Sequence, residues 1–470
     1  MKRGDSIEVT VESTTVEGKS VGHVEGLAVF IKGGVPGDFL RARVNSVKKN
    51  FAECEVAEIL RPSGLRTEPQ CRHFGICGGC RWQQVQYPAQ LQFKRQHVVD
   101  ALERLGGFPG IAVEQAVGVT DPYFYRNKME FSFGERWQTI EELSTGGTGP
   151  EDRFGLGLHV AGRYDRVVDV QECWLQSTLS ASIVNSVRDF CKTRGLQPYA
   201  PRTHEGYLRN LVIREGRRTG EVMVNIVTRD DRPDVMTALS GYLRSAFPGI
   251  TTIINNITAR VSQVAVGEYE KTYFGKGTIS EKIGSRMYRI SANSFFQTNT
   301  EQAERLYDVA KSFAGLRRED IVYDLYAGTG TIALHVADEA SHVFGIEAVA
   351  SAVEDARRNA GDNHVENCTF LLGDLKETLV GSRQRGTPLP RPDVVLTDPP
   401  RAGMHEKVVR ELLALRPRTI VYISCNPSTQ ARDLKVLCES GTYAITRVQP
   451  IDMFPHTSHI ENIALLKVIG

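Results

Sequence analysis

The sequence predicts an α/β protein whose last third, residues 291–470, is a doubly wound, mainly parallel sheet. A small β-barrel over residues 1–62 and an α+β region over residues 63–290 precede it. Three observations carry this. Apolar runs alternate with helix-length stretches after residue 300, and each of five successive runs ends in an acid or a cysteine. Short alternating segments with glycine-rich turns fill the first sixty residues. The middle is rich in β-branched strand segments.

In the last region, IVYDLYAG is an apolar run broken by Asp324 and then by glycines, the pattern of a buried parallel strand that turns tightly into a helix. Gly328 and Gly330 allow close approach of a ligand to the backbone. HVFGIE ends in Glu347, nineteen residues after Gly328, where a carboxylate can hold ribose hydroxyls. A dinucleotide site would place its acid similarly. The turn here reads GTGT behind an acid, however, and an acidic strand end repels phosphate. It suits a cationic amino-acid cofactor such as S-adenosylmethionine. TFLLGD ends at Asp374, placed to accept an adenine amino group; PDVVLTDPPR ends a strand at Asp398, and TIVYISCNP ends one at Cys425. Ligands bind at the carboxyl ends of such strands, so Asp324, Glu347, Asp374, Asp398 and Cys425 are expected to converge. Singly, each acid also reads as a helix cap or a solvated loop residue.

The chemistry follows from two residues. DPP followed by an aromatic would suit methylation of an exocyclic amine, but the fourth residue is Arg401. Cys425 supplies another logic, because carbon 5 of a pyrimidine is too weak a nucleophile to attack a sulfonium methyl unaided. A thiolate adding to carbon 6 makes an enolate whose carbon 5 can attack, which divides one hard step into two. A base must then take the carbon 5 proton, and Glu461 in HTSHIEN is the candidate. A buried structural thiol is the alternative for Cys425. Ser424, Asn426 and Pro427 around it argue for a sulfur at an exposed strand tip. His456 and His459 have a metal-like HxxH spacing without an obvious third ligand and read as scaffold or surface residues.

Nine cysteines divide unevenly. Cys71, Cys77 and Cys80 form CxxxxxCxxC, with Cys173 a candidate fourth ligand, while Cys54, Cys191, Cys368 and Cys438 stand singly in apolar or helical contexts. Gly75, Gly78 and Gly79 let the backbone wrap an inorganic centre, and iron–sulfur and zinc are both compatible with the spacing. The odd number and the CxxC grouping speak against disulfides.

The N-terminal segments GDSIEVTVE, GHVEGLAVFIKG, FLRARVNSVKKN and FAECEVAEIL predict a small five-stranded barrel of a kind that binds single-stranded nucleic acid, with a local basic cluster at Arg41, Arg43, Lys48 and Lys49. In the middle region, FYRNKMEFSFG, FGLGLHV, LRNLVIREG, GEVMVNIVT and TTIINNI read as strands, and residues 138–152 as a flexible loop. Arg126, Lys128, Arg209 and Arg214 either line an RNA path or lie on solvated strand faces. A net charge of +1 carries no global nucleic-acid signature, and 41% hydrophobic content over 470 residues is ordinary for two to four globular units. MKRGDSIEV lacks an apolar signal region and no long apolar run occurs, so a cytoplasmic protein without membrane contact is expected, with no protein partner evident.

Barrel, CxxxxxCxxC, a lone later CxL, SFFQTN (294–299), DLYAGTG, DPPR, SCNP and HTSHIEN follow one another in an order that resembles the bacterial RNA uridine C5-methyltransferases. The resemblance covers nearly the whole chain and is to the 23S ribosomal RNA branch with an N-terminal TRAM domain. It implies a class I, Rossmann-like S-adenosylmethionine-dependent methyltransferase domain behind an OB-like TRAM barrel. It further implies a [4Fe-4S] cluster on Cys71, Cys77, Cys80 and Cys173, and cofactor binding by Gln297, Tyr326, Glu347 and Asp374. Asp398 then lies at both cofactor and target base, Cys425 is the nucleophile and Glu461 the base. Thr331 stands where some relatives have Asn. The expected partner is RNA, 23S ribosomal RNA ahead of transfer RNA, because the transfer RNA branch in many bacteria lacks both barrel and cluster; archaeal relatives with both act on transfer RNA, which keeps it as the alternative. Three other readings fit less well. A radical methylthiotransferase has CxxxCxxC and a C-terminal TRAM domain; RNA cytosine C5 enzymes typically carry a second active-site cysteine; and a vestigial RNA-binding factor would not be expected to keep Cys425, Asp398 and Glu461.

Overall fold

The computed structural model describes residues 1–138, 153–261, 265–384 and 389–469. The loop expected over 138–152 therefore lies, apart from Gln138, outside the described residues.

The N-terminal sheet contains β1 (Ser6–Thr10), β2 (Ser13–Thr14), β3 (Ser20–Val24), β4 (Leu27–Lys32), β5 (Phe39–Val47) and β6 (Phe51–Arg61), in the order β1-β5-β6-β4-β3-β2. Five strands were expected; the sixth, β2, is two residues long and too short to show alternation. The Glu12 N–H donates to the Val21 carbonyl at 2.8 Å, closing the sheet between the end of β1 and β3. The approach is tight enough to require glycine: a Cβ on Gly22 would come within 2.5 Å of the Thr10 carbonyl oxygen. Val9, Val29, Ile31, Leu40, Val44 and Cys54 fill the barrel. Its basic cluster is partly neutralised, because Arg41 pairs with Glu8 and Glu58 and Arg43 with Glu55.

Helix α1 (Tyr87–Ala101) has Pro88 in its first turn, where the missing N–H costs nothing, and runs into a π-helical turn, Leu102–Gly106. Val98, Ala101 and Leu102 pack with Tyr323, Ala431 and Leu434 of the C-terminal region. The central sheet then holds β7 (Lys128–Glu135), β8 (Phe154–His159), β9 (Val167–Asp169), β10 (Leu208–Glu215), β11 (Val222–Thr228), β12 (Thr252–Ile257) and β13 (Tyr269–Phe274), ordered β13-β12-β11-β10-β7-β8-β9. Helices α2 (Thr178–Thr193) and α3 (Pro233–Ala246) cover one face, where Phe131, Leu211, Ile226, Ile183 and Leu239 share a core. Ser177 caps α2 by accepting from the Ser180 N–H at 3.1 Å.

A hairpin, β14 (Thr278–Ile283) and β15 (Arg286–Ser291), and helix α4 (Thr300–Ala314) lead into the C-terminal sheet. There β16 (Ile321–Leu325), α5 (Thr331–Val336), β17 (His342–Glu347), α6 (Ala350–Asp362), β18 (Cys368–Leu372), α7 (Leu375–Gln384), β19 (Val394–Thr397), α8 (Glu406–Leu415), β20 (Thr419–Ser424), α9 (Pro427–Glu439), β21 (Tyr443–Ile451) and β22 (Glu461–Val468) follow in turn. The order is β18-β17-β16-β19-β20-β22-β21, with β16 to β20 parallel and β22 antiparallel to β20. The five expected strands all occur. No described helix is long and apolar enough to cross a membrane.

One buried ion pair fastens α1 to the chain ahead of β22. Lys94 and Asp452 are both 0% exposed with Nζ and Oδ1 2.5 Å apart; Nζ also donates to the Phe454 carbonyl at 2.9 Å, and the Tyr87 hydroxyl donates to Asp452 Oδ2 at 2.9 Å. Burial pulls the Lys94 ammonium below its usual range while Asp452 works against that. Removing one partner strands the other charge, so Lys94→Met is expected to cost about 3–5 kcal/mol of stability, read as a lower urea midpoint. An unchanged midpoint would contradict this.

Candidate active site

Across the C-terminal sheet the strand ends present, in spatial order, Asp374 after β18, Glu347 at the end of β17, Tyr326 after β16, Asp398 after β19, Cys425 after β20 and Glu461 at the start of β22. The strand order reverses between β16 and β19, the place where open parallel sheets open a crevice for ligands. Glu347, Asp374, Asp398 and Cys425 were expected together here; Tyr326 and Glu461 were named as site residues without a place at this edge.

On the β16–β18 side, Glu347 accepts the Gly328 N–H at 3.0 Å and the Val349 N–H at 2.9 Å, which fixes its carboxylate against the glycine turn. Each oxygen retains a second lone pair for a ligand hydroxyl. Gly328 has φ +54 and open space where a Cβ would stand, whereas a Cβ on Gly330 would come within 2.8 Å of the Phe370 ring. Only the first of these glycines leaves room for a ligand; the second serves packing. Tyr326 sits in the left-handed region at φ +64, a strain of the kind that clusters at ligand sites. Asp374 is about half-exposed and accepts the Lys376 N–H at 2.8 Å. Half-buried Gln297 is anchored through its carbonyl by the Asn127 side-chain amide at 2.9 Å, and its own amide has no hydrogen-bond partner among the described residues. Asp324 departs from expectation. It is fully buried within β16, Oδ2 accepts the Ala333 N–H of α5 at 3.0 Å, and Oδ1 has no partner. Burial pushes its carboxyl up to about 8, so it holds α5 in place rather than facing the crevice as an open charge.

On the β19–β22 side the register does the positioning. Ser424 pairs with Asn462 as the last pair between β20 and β22; Cys425 follows the one and Glu461 precedes the other, and Glu461 is near enough to act on the Cys425 thiol. Asn426 turns the chain into α9: Oδ1 accepts the Ser428 N–H at 3.1 Å and its amide donates to the Arg401 carbonyl at 3.0 Å. The Asp398 N–H donates to the Leu325 carbonyl at 3.3 Å, bringing its half-buried carboxyl beside β16. Burial pushes Asp398 up to about 7. Burial and then the neighbouring Asp398 push Glu461, which is 5% exposed, well above the usual carboxylate range. Two neighbouring carboxyls that raise one another cannot both ionise cheaply.

Burial, followed by Glu461 and Asp398, raises the Cys425 thiol to about 11, and the Arg401 guanidinium opposes the rise. Arg401 is steadied by His459, whose Nδ1 accepts from Nη2 at 2.9 Å. The sequence had flagged Arg401 only for the target it disfavours and His459 only as scaffold or surface. Their joint role lacked a local signal, because they lie 58 positions apart. Since the thiolate is the reactive form, alkylation of Cys425 by iodoacetamide is expected to rise about tenfold per pH unit from neutrality and to level off only near pH 11. Arg401→Met should slow it about 3–10-fold at pH 8, measured on the Cys425 peptide by mass spectrometry. A plateau by pH 8 would refute this account of the thiol.

Cys71, Cys77, Cys80 and Cys173 line one small pocket with Gln83, Leu158 and Trp174. Burial raises all four thiols, to about 11 for Cys71 and about 12 for Cys77 and Cys80, and their mutual charge interactions add to it. N–H donors face the sulfurs: Gly79 N–H to Cys77 Sγ at 3.4 Å and Gln83 Nε2 to Cys80 Sγ at 3.3 Å. This donor set fits thiolates around an inorganic centre. Among the described residues, no three His, Cys, Asp or Glu side chains are grouped as for a single metal ion. Of the four basic residues considered for an RNA path, Arg214 and Arg209 are buried and donate to the Ala292 and Ser294 carbonyls and the Thr258 and Arg260 carbonyls, and Lys128 pairs with Glu130. Arg126 lies 5.8 Å from the Phe454 ring.

A parallel sheet ending in an antiparallel β22 inserted beside β20, with acids on its first strand ends, defines a class I methyltransferase fold. Residues 250–469 match the family described as tRNA (Uracil-5-)-methyltransferase, and residues 1–57 match the TRAM domain. The chain is 43% identical to an uncharacterized RNA methyltransferase of Chlorobaculum tepidum over 98% of this chain and 96% of that protein. It is 41% identical to one of Porphyromonas gingivalis over 97% and 98%. The crystal structure of Pyrococcus abyssi tRNA (uracil-54, C5)-methyltransferase in complex with S-adenosyl-L-homocysteine superposes with a TM-score of 0.75 at 29% identity, covering 98% of this chain and all of that one. The chain belongs to the uracil-5 RNA methyltransferase family, with a TRAM domain at its N-terminus.

Proposed function

We propose that the protein transfers the methyl group of S-adenosylmethionine to carbon 5 of a uridine in 23S ribosomal RNA through a covalent Cys425 adduct. The observation that supports this reading is the β20–β22 register, whose last pair Ser424–Asn462 is flanked by Cys425 and Glu461, with Asp398 on the adjoining strand end. Gln297, Tyr326, Glu347 and Asp374 bind the cofactor, with Asp398 at its boundary with the target base. When bound, S-adenosylmethionine supplies an electrophilic methyl on its sulfonium.

The target uridine leaves its stack to reach the recessed thiol. Cys425 gives its proton to water, and its sulfur bonds to carbon 6 while the carbon 5–carbon 6 π electrons pass to the O4 enolate. Arg401 favours the anionic sulfur. The enolate returns its electrons through carbon 5, which takes the methyl as the sulfonium bond breaks. Glu461 then removes the carbon 5 proton; that electron pair rebuilds the double bond and expels the Cys425 thiolate. A carboxylate held well above its usual range is a stronger base, which matches this task.

The four thiols of Cys71, Cys77, Cys80 and Cys173 hold a [4Fe-4S] cluster. A cluster separates its corner ligands further than one ion does, which agrees with cysteines that line a pocket without closing on a point. The three assigned units are the TRAM barrel over 1–62, the cysteine segment and central region over 63–290, and the catalytic domain over 291–470. Transfer RNA is the second reading, favoured by the Pyrococcus abyssi likeness. Anaerobically purified enzyme with methyl-labelled cofactor and total RNA from a strain lacking the gene should yield labelled 5-methyluridine in 23S fragments, identified by mass spectrometry. Label in transfer RNA would select the second reading, and label in another nucleoside would overturn the chemistry.

A further inference from the structure

The SFFQTN segment runs between β15 and α4 and carries Gln297, yet it lies outside every sheet and helix. Its backbone carbonyls must therefore find partners elsewhere. Asn127, just ahead of β7 and 5% exposed, takes two of them in succession. Its side-chain amide donates to the Gln297 carbonyl at 2.9 Å, and its backbone N–H donates to the Thr298 carbonyl at 2.8 Å. Two neighbouring carbonyls held by one residue fix two successive peptide planes, and with them the direction in which the Gln297 side chain leaves the backbone. The carbonyl of Asn127 in turn accepts the Glu215 N–H at 2.8 Å, which ties the residue to the end of β10.

A second partner sets which way that amide points. Asn127 Nδ2 also donates to Thr300 Oγ1 at 2.9 Å, and Thr300, 1% exposed, gives its one hydroxyl proton to Glu281 Oε2 at 2.8 Å. A hydroxyl whose proton is committed can only accept, as can a carbonyl, so both groups facing the amide require its nitrogen. Glu281 is 0% exposed and takes two donors on each oxygen. Oε2 accepts the Arg217 N–H at 2.7 Å beside the Thr300 hydroxyl; Oε1 accepts the Arg218 N–H at 3.1 Å and the Lys282 N–H at 2.9 Å. The turn after β10, the hairpin strand β14 and the first residue of α4 thus meet in one buried network that ends on the Gln297 carbonyl. Each link is directional, so changing the polarity of one group breaks the chain without changing its volume.

We propose that Asn127 is a positioning residue for cofactor binding: its amide, oriented by Thr300 and Glu281, holds the Gln297 carbonyl and aims the Gln297 side chain at S-adenosylmethionine. The inference rests on the reading of Gln297 as a cofactor residue. The Gln297 side-chain amide, without a hydrogen-bond partner among the described residues, is left to the ligand. Asn127 and Glu281 lie in the central unit, residues 63–290, so part of the cofactor site is set from outside the catalytic domain.

The test uses full-length protein and reads the Kd and stoichiometry of S-adenosylhomocysteine by calorimetry. KM for S-adenosylmethionine and kcat are read with total RNA from a strain lacking the gene. Asn127→Asp keeps the shape of the side chain but turns an oxygen toward two acceptors, and is expected to weaken cofactor binding about tenfold at wild-type stoichiometry. KM for S-adenosylmethionine should rise alike, while kcat at saturating cofactor stays within about twofold of wild type. Thr300→Val should weaken binding about threefold, and Thr300→Ser, which keeps the hydroxyl, should bind like wild type. That pair decides the matter if Asn127→Asp does not fold. Because Asn127 acts through Gln297, adding Asn127→Asp to Gln297→Ala should weaken binding little beyond Gln297→Ala alone. Asn127→Asp with a wild-type Kd, or a loss that adds in full to that of Gln297→Ala, would overturn the proposal alone. Gln297→Ala with a wild-type Kd would overturn the reading of Gln297 as a cofactor residue, and the inference with it.

Discussion

Cys425→Ala is expected to reduce methyl transfer by about 10⁴-fold or more, about 5.4 kcal/mol of transition-state stabilisation. Alanine leaves β20 and its register with β22 intact, because position 425 lies just past the strand and carries no ladder bond of its own. On the proposed covalent route the lost sulfur removes the addition that makes uracil carbon 5 a strong enough nucleophile. Cofactor binding should survive, since Glu347 and Asp374 stand on the other side of the switch point. Single-turnover transfer of labelled methyl decides it. A variant with near-normal turnover would end the covalent scheme, whereas one that had also lost cofactor binding would point to a misfolded site.

Glu461→Gln should have the second-largest effect and a different signature. Glutamine keeps the volume of a side chain that is 5% exposed but cannot take the carbon 5 proton. The methyl should still transfer once, after which the RNA stays bonded to Cys425 and migrates with the protein on a denaturing gel. In wild type the release step should speed up as pH rises, because burial and Asp398 raise the Glu461 carboxyl and only its ionised form acts as a base. In the variant this dependence should vanish. Turnover lost through RNA affinity alone, without the adduct, would remove Glu461 from the role of base.

Much of this site was legible along the chain because its parts are local. A buried parallel strand reads as an apolar run, and the residue that stops the run sits at the ligand edge, so Glu347, Asp374, Asp398 and Cys425 were named with their strands. Asp324 shows where the pattern misleads. Its position in the run resembles the others, but it lies one residue inside β16, where burial raises its carboxyl and Oδ2 braces α5. The two-residue strand β2 escaped because two residues have no period.

By itself the sequence determined the succession of strands and helices, the glycine turn, the acids and the cysteine that follow the strands, and the grouping of four cysteines, for these depend on residue type and short spacing. Only the tertiary structure decided how distant pieces converge. It brought Arg401 and His459 onto one side of Cys425, locked Lys94 to Asp452 across 358 positions, and laid the chain after Cys80 against the turn before Glu461. Those pairings follow from burial, which makes an unpartnered charge or carbonyl costly and rewards whichever partner the packed chain brings near; no local period records which partner that is.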